Sequence, residues 1–264
     1  MSDRLKDTTQ LPPTILVVDD DELNQRMMRL ILKREGHLVE CVSNGLEAVN
    51  AVKERAFDII LMDLQMPVMD GVEASRQIRQ LETDGGRIFI VALTASYLPE
   101  RGQELYEAGI DNYLSKPFEV EHLRHILQYG LENRKARRLS AVDSSVETAA
   151  PMVESFDHQI GLQRVGGDRE TYKELLNDFI QELPVKLEIM RSCFKTKDAD
   201  GLYRAAHNLK GVSANLGALQ LSEHAHRLEK LVSESYTETL EGVLEDISNI
   251  SDGLITKAQN FLAG

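Results

Sequence analysis

Short apolar runs in the first half of the sequence end at residues whose side chains suit phosphoryl and metal-ion chemistry. Asp19 and Asp20 follow "TILVV", Asp63 follows "DIILM", Thr94 follows "IFIVAL", and Lys116 follows "NYLS". Carboxylates that meet repel one another unless a cation lies among them, and oxygen ligands favour Mg²⁺. An aspartate can act as a nucleophile towards phosphorus, and an adjacent ammonium group and hydroxyl can neutralise and position the transferred group.

The second half contains a histidine in a setting of small residues, "AAHNLKGVSANLGA" at 205–218. Helical spacing predicts an apolar stripe of Leu202, Ala205, Leu209, Val212 and Leu216. Since His207 lies about 200° around the axis from Leu209, we expect its ring to face solvent. Gly211 costs a helix about 1 kcal/mol relative to alanine, which suggests that a partner's backbone or an acyl phosphate approaches closely. A neutral imidazole is a nucleophile at cellular pH, and Lys210 would offset the charge of a transferred phosphoryl group.

The elements that must position the acidic residues alternate in type as far as residue 138. Strands are predicted at 14–18, 38–42, 58–62, 88–93 and 112–115, and helices near 22–35, 45–55, 71–82, 98–108 and 118–138. Such alternation predicts a doubly wound α/β fold with five parallel strands, whose carboxyl ends form the ligand-binding edge. Acids after a strand are often only helix caps, and Asp21 or Glu22 is available for that role.

The sequence changes character after residue 138. Residues 139–155 are small, polar and aperiodic, which predicts a flexible linker, and residues 156–264 are predicted to form an all-α helical bundle. Asp157 and Asp168 are the expected caps of its first two helices, and Pro184 either bends or interrupts the second. Further helices are predicted near 198–216, 218–234 and 237–262. The predicted domains are therefore a polar tail (1–12), an α/β domain (13–138), the linker and the bundle.

Composition excludes several classes of protein. The 264 residues carry a formal net charge of −13, which disfavours nucleic-acid binding, and the basic cluster "NRKARR" at 133–138 is interpreted as a helix end. Two cysteines in different halves argue against a disulfide framework. No apolar run approaches the ~18 residues that would span a bilayer, and the N-terminus lacks a signal-peptide core. We therefore expect a cytoplasmic protein without nucleic-acid binding or membrane insertion.

The first half resembles the response-regulator receiver domain of two-component signalling. The runs "ILVVDDDELNQ", "DIILMDLQMPVMDG", "ALTA" and "YLSKPF" match that family in order and spacing over about residues 13–138. The resemblance implies a flavodoxin-like strand order 2-1-3-4-5 and makes Asp63 the phospho-acceptor. It also implies that Asp20, Asp63 and the backbone carbonyl of Gln65 bind Mg²⁺ directly, with Asp19 acting through water.

The same resemblance assigns roles to the remaining residues of the pocket. Lys116 would pair with the phosphoryl group, and Thr94 would move towards it. Tyr113, three residues before the lysine, would be the aromatic side chain that rotates on switching. The Lys116–Pro117 peptide bond is expected to be cis.

The segment "HNLKGVSANLGA" resembles the signature of histidine-containing phosphotransfer (HPt) domains, and the likeness extends over about 156–262. It implies that His207 is phosphorylated and that Lys210 and Gly211 support access to it. A plain surface histidine remains the simpler alternative.

Together the two resemblances predict an intermediate of a phosphorelay, with a sensor histidine kinase and a downstream response-regulator receiver as partners. No Gly-rich phosphate loop is evident, so we expect a phosphotransfer protein without an ATP-binding kinase core. A free-standing relay protein and the C-terminal part of a hybrid kinase both fit. A Mg²⁺-dependent aspartyl-phosphate phosphatase is an alternative, although Gln65 occupies the position of its general acid; a non-phosphorylated docking scaffold is another.

Overall fold

The first half of the chain folds around a five-stranded parallel sheet. The computed structural model describes residues 12–82, 86–94, 102–133, 156–233 and 240–264. The strands are β1 (Thr14–Val18), β2 (Leu38–Val42), β3 (Ile59–Asp63), β4 (Phe89–Thr94) and β5 (Asn112–Ser115). They pair in the order β2-β1-β3-β4-β5, and every pair is parallel. The predicted fold class and strand order are confirmed.

Helices cover both faces of this sheet. They are α1 (Glu22–Arg34), α2 (Gly45–Glu54), α3 (Gly71–Leu81), α4 (Gly102–Glu107) and α5 (Val120–Asn133). One buried cluster lies on the face of α1 and α5, and a second lies on the face of α2, α3 and α4. Because both faces are covered, the central strands are almost wholly apolar. The parts of the predicted helices that fall at 98–101 and 134–138 lie outside the described residues.

Two strands begin one residue later than predicted, and the shift matters for the site. The structure starts β3 at Ile59 and β4 at Phe89, so Asp63 and Thr94 are the last residues of their strands. Asp58 precedes β3, and its carboxylate accepts a hydrogen bond from the Thr14 backbone. The strand ends therefore fix the backbone of both candidate residues.

The elements described in the second half are all helices, joined by short turns. Its helices are α6 (His158–Arg164), α7 (Arg169–Thr196), α8 (Ala199–Asn215), α9 (Leu219–Ser233) and α10 (Leu240–Ala263). Asp157 and Asp168 cap α6 and α7 as predicted. The helix α7 continues through Pro184 without interruption. The predicted linker, 139–155, lies outside the described residues.

The two halves pack against each other along α1 and α7. The buried cluster on the α1 and α5 face of the sheet is continuous with the core of the helical bundle. A Cβ atom built on Gly166, in the turn before α7, would lie 3.9 Å from the Val120 side chain of α5. The carboxyl edge of the sheet therefore has a fixed position relative to the bundle.

Membrane-spanning helices are absent from the part of the chain that the structure describes, since none combines the necessary length and hydropathy.

Gly71, the first residue of α3, tests how tightly the sheet edge is built. A Cβ atom at this position would lie 2.2 Å from the Asp63 carbonyl oxygen, so Gly71→Ala must displace the end of β3. We expect the urea midpoint to fall by an amount equivalent to about 3 kcal/mol. Gly253→Ala, in α10 with nothing within 4 Å of the new methyl group, should instead stabilise the protein by about 1 kcal/mol. Equal effects of the two substitutions would contradict this packing.

Candidate functional site

Three aspartates meet at the carboxyl edge of the sheet. Asp19 and Asp20 follow β1, and Asp63 ends β3, which is the strand beside it. One carboxylate oxygen from each lies within 4.8 Å of the other two. Asp19 and Asp63 are almost completely buried. The structure therefore brings together the acids that the strand ends predicted.

Lys116 lies between two of these acids. Its Nζ donates hydrogen bonds of 2.8 Å to Asp19 Oδ2 and 2.6 Å to Asp63 Oδ2, and its side chain is 6% exposed. Burial lowers the pKa of Lys116, but the two carboxylates raise it by more, so the ammonium group stays charged. The Lys116–Pro117 peptide bond is cis, as expected.

One lysine leaves the negative charge of the three acids incompletely balanced. Burial raises the pKa of Asp19 to about 6; Lys116 opposes this rise, and Asp63 adds to it. Burial also raises the pKa of Asp20. The Oδ1 atom of Asp20 is buried and has no hydrogen-bond partner among the residues that the structure describes. An orphaned carboxylate oxygen among acidic neighbours fits a hard divalent cation, so the residues present suit Mg²⁺.

The N-terminal cap of α1 is provided by Asp21, one of the two residues available for that role. Its carboxylate accepts hydrogen bonds from the backbone of Leu23 and Asn24. Asp21, rather than Asp19 or Asp20, is therefore the N-cap of α1.

The other predicted pocket residues lie around the same edge. Thr94 is buried at the end of β4 and pairs in register with Ser115, the residue before Lys116. Tyr113, on the outer strand β5, is 38% exposed. Gln65 donates its backbone N–H to Asp63 Oδ1 at 3.0 Å, and its side-chain amide donates to the Tyr203 hydroxyl at 3.1 Å.

The expectation that His207 faces solvent is wrong: the residue is only 6% exposed. The apolar stripe described one face of α8, but nearly all of the helix from Ala206 to Asn215 is buried. The ring of Tyr203 is stacked on the His207 ring with a centroid distance of 6.4 Å. The helix α9 closes another side, so periodicity within α8 alone could not report this burial.

Glu229 of α9 holds the imidazole in place. Its carboxylate is bonded to His207 Nδ1 at 2.7 Å, to Lys210 Nζ at 2.5 Å and to His226 Nδ1 at 3.1 Å. Burial raises the pKa of Glu229, but hydrogen bonds from His207 and Lys210 outweigh it and lower the pKa to about 2. A carboxylate only accepts hydrogen bonds, so His207 Nδ1 carries the proton and Nε2 carries the lone pair.

The structure pairs Lys210 with an acid and leaves open space beside Gly211. We expected Lys210 to stand ready beside a transferred phosphoryl group, but it is 9% exposed and paired with Glu229. We expected Gly211 to admit a close approach, and a Cβ atom there would have nothing within 4 Å among the described residues outside its own helix. Lys210 points to Glu229 because the buried carboxylate attracts its ammonium group.

Residues on either side of His207 contact the acidic pocket. The Asn208 amide donates to Asp20 Oδ2 at 3.3 Å, and Tyr203, one turn before the histidine, accepts from Gln65. One of these contacts reaches Asp20, a member of the acid cluster, and the other reaches Gln65, two residues after Asp63. The helical stretch and the sheet edge form one site.

Sequence reasoning missed four residues: Tyr203, Asn208, Glu229 and Lys186, whose Nζ is bonded at 2.5 Å to Asp21, the residue after Asp20. Tyr203 is four residues before His207, so the helical repeat offered a signal for it. Glu229 and Lys186 lie on other helices, and nothing in the local motif indicated them.

Family models match both halves of the chain. The model of the response regulator receiver domain matches residues 15–128, and that of the Hpt domain matches residues 174–257. Sensor protein GacS of Pseudomonas syringae pv. syringae is 31% identical over 235 residues, which are 88% of this chain and 26% of the relative. The histidine-protein kinase BarA of Escherichia coli strain K12 is 27% identical over 258 residues, 97% of this chain and 28% of the relative. The chain thus spans about a quarter of the length of these relatives.

Similar solved structures each match about half of the chain. The receiver domain of sensor histidine kinase PA1611 from Pseudomonas aeruginosa PAO1, with a magnesium ion in its active-site cleft, is 37% identical; the match covers 46% of this chain and 99% of that one, with a TM-score of 0.43. The co-crystal structure of Saccharomyces cerevisiae Ypd1 with the receiver domain of Ssk1 matches at 31% identity. The match covers 47% of this chain and 94% of that one, with a TM-score of 0.43.

The raised pKa of Asp19 predicts a pH dependence of stability. Because its folded pKa of about 6 exceeds the ordinary 3.8, the folded state binds this proton more tightly, and stability should rise as pH falls from 7 to 5 in metal-free buffer. The slope from this group is at most about 1.4 kcal/mol per pH unit. Urea unfolding of wild type and Asp19→Asn, compared at both pH values, measures it. A difference between the two proteins that does not vary with pH would contradict the assignment.

Glu229→Gln tests the clamp on the imidazole. We expect the Nδ1–H tautomer of His207 to lose its dominance, because an amide can donate as well as accept, and stability to fall by about 2 kcal/mol as Lys210 loses its charged partner. Nitrogen-15 NMR of the ring and urea unfolding report the two effects. Glu223→Gln, an exposed change on the same helix, is the control. An unchanged tautomer of His207 in the Glu229→Gln protein would show that Glu229 does not determine which ring nitrogen carries the proton.

Proposed function

Because residues 15–128 form a response regulator receiver domain and residues 174–257 form an Hpt domain, we propose that the chain transfers a phosphoryl group between Asp63 and His207 in a two-component phosphorelay. The observation that carries this proposal is the pair of contacts around His207. Asn208 is bonded to Asp20 and Tyr203 to Gln65, so the phosphoryl-accepting edge of the receiver lies over the helix that holds the histidine.

Phosphorylation begins at Asp63. A carboxylate oxygen of Asp63 attacks the phosphorus of a donor, the bond from phosphorus to the donor breaks, and an acyl phosphate forms. Lys116, now bonded to that carboxylate, is placed to pair with the new phosphoryl oxygens. Thr94, at the end of β4, would supply a hydroxyl donor to the same oxygens.

Asp19, Asp20, Asp63 and the Gln65 carbonyl would hold Mg²⁺, as the orphaned Asp20 oxygen supports. When bound, the ion neutralises charge on the phosphoryl oxygens. Lys116, whose Nζ is bonded to Asp19 and Asp63, would counter part of the same charge.

Transfer to the bundle uses the lone pair on His207 Nε2. This nitrogen attacks the phosphorus, the bond from phosphorus to the Asp63 oxygen breaks, and its electron pair returns to the carboxylate. The imidazole becomes cationic at that moment, and Glu229 stabilises it through the Nδ1 proton. The reverse reaction uses the same groups, so phosphate entering at His207 can reach Asp63.

Tyr113 is the residue that would report phosphorylation of the pocket. It lies on β5 in register with Ala92 of β4, two residues before Thr94. The residue is 38% exposed. Movement of Thr94 towards the phosphoryl group would open space for the ring to rotate inwards.

The partners follow from the two domains. A sensor histidine kinase would phosphorylate Asp63, and a downstream receiver would take phosphate from His207. The relatives GacS and BarA are themselves sensor kinases that contain matching segments, which supports a place in this class of pathway.

Acetyl phosphate and Mg²⁺ provide the direct test, because a small donor loads a receiver without a kinase. Wild type should gain an alkali-labile phosphate at Asp63 and an acid-labile phosphate at His207, separated on Phos-tag gels. His207→Gln should keep only the first, and Asp63→Asn should carry neither. Asp70→Asn, in which asparagine can still cap α3, should match wild type. Phosphate on His207 of the Asp63→Asn protein would refute the proposed route.

Mixing variants shows whether transfer occurs within one chain. Asp63→Asn and His207→Gln proteins, mixed in equal amounts, should label His207 much more slowly than wild type at the same concentration, because the docked domains act at high effective concentration. Steady turnover of a generic phosphomonoester by wild type would instead favour the phosphatase.

A further inference from the structure

The helices α1 and α7 pack antiparallel and are joined by a row of ion pairs. Asp21, at the start of α1, binds Lys186 near the middle of α7 at 2.5 Å. Arg26 pairs with Asp178 and, at 3.5 Å, with Glu174. Arg34, in the last turn of α1, pairs with Asp168, which caps α7.

The charges at the two ends of this row favour one register. Sliding α7 by one turn in one direction would place Glu182 opposite Asp21, so like charges would meet at that end, and Arg34 would lose Asp168. Sliding it the other way would place Met190 and Tyr172 there, and both end pairs would be lost. An alternating charge pattern of this kind selects register and partner through repulsion as well as attraction.

This register determines what lies over the histidine. Asp21 directly follows Asp20, which accepts the hydrogen bond from Asn208, the residue after His207. A shift of one turn along α7, about 5.4 Å, would break that contact.

We propose that the charge order of α7 selects the receiver that docks over His207. The selected receiver carries an acid at the cap of its first helix and bases five and thirteen residues later, as Asp21, Arg26 and Arg34 do here. The chain's own receiver is the matching occupant. A downstream receiver that accepts phosphate from His207 must displace it and therefore carries the same three charges. The inference rests on the proposed function for its consequence, but the docking itself can be measured without phosphate.

Arg26 and Asp178 are the pair to exchange, since neither caps a helix and neither belongs to the acidic pocket. Diethyl pyrocarbonate modification of His207, followed by peptide mass spectrometry in the full chain, reports docking. We expect Arg26→Glu or Asp178→Arg to raise the rate of His207 modification about tenfold, because like charges would then meet. The double exchange should return that rate to the wild-type value. His125 on α5, whose side chain is 71% exposed, is the internal reference, and Arg76→Glu on α3 is the control variant. Unchanged labelling of His207 in both single variants would overturn the proposal.

Selection is tested by transfer between chains with the intrachain route removed. The donor is His207→Gln with Arg26→Glu, loaded at Asp63 with acetyl phosphate. We expect it to phosphorylate an acceptor with Asp63→Asn and Asp178→Arg about tenfold faster than one with Asp63→Asn and Arg26→Glu. Both acceptors have lost their own docking pair, so only the match with the donor differs. Equal rates would refute selection. If neither acceptor is phosphorylated but the diethyl pyrocarbonate labelling of His207 changes as expected, the proposed function is refuted. The docking of α1 on α7 is then still supported.

Discussion

Repulsion among three carboxylates at one sheet edge is the constraint on which the rest of this structure depends. Parallel strands carry Asp19, Asp20 and Asp63 to the same place, and burial of Asp19 and Asp63 reduces the screening of their charges by water. Lys116 compensates for part of this charge by binding two of the three. The uncompensated remainder makes the edge attractive to a cation and to any donor that reaches it, which is how Asn208 of the bundle comes to bind Asp20.

The bundle has the opposite arrangement. One buried acid, Glu229, accepts from His207, Lys210 and His226, so basic groups outnumber the acid that holds them. The clamp fixes the proton on Nδ1 and leaves the lone pair on Nε2, whereas a solvated imidazole would divide its population between two tautomers. The two domains therefore carry complementary groups. Their contact pairs Asn208 with Asp20 and Tyr203 with Gln65.

The sequence allowed good prediction of whatever one element determines alone. Strand ends located Asp63, Thr94 and Lys116, because a parallel sheet puts its carboxyl ends at one edge, and Asp157 and Asp168 were identifiable as caps from residue type. Burial of His207 and the pairing of Lys210 with Glu229 were not predictable in the same way. They depend on α9 and on the neighbouring domain, and a helical projection of α8 contains no information about either.

Burial of His207 and its proposed role as a phosphoryl carrier are compatible only if the contact between domains is reversible. The Arg26–Asp178 and Arg34–Asp168 ion pairs involve side chains that remain partly exposed, so salt and competing charges weaken them. Apolar packing beside them is not sensitive to charge and keeps the domains close. Apolar contact thus supplies adhesion and the charges supply alignment. A partner that matches the charges can therefore exchange with the resident domain, because the part of the contact that discriminates is also the part that is weakest.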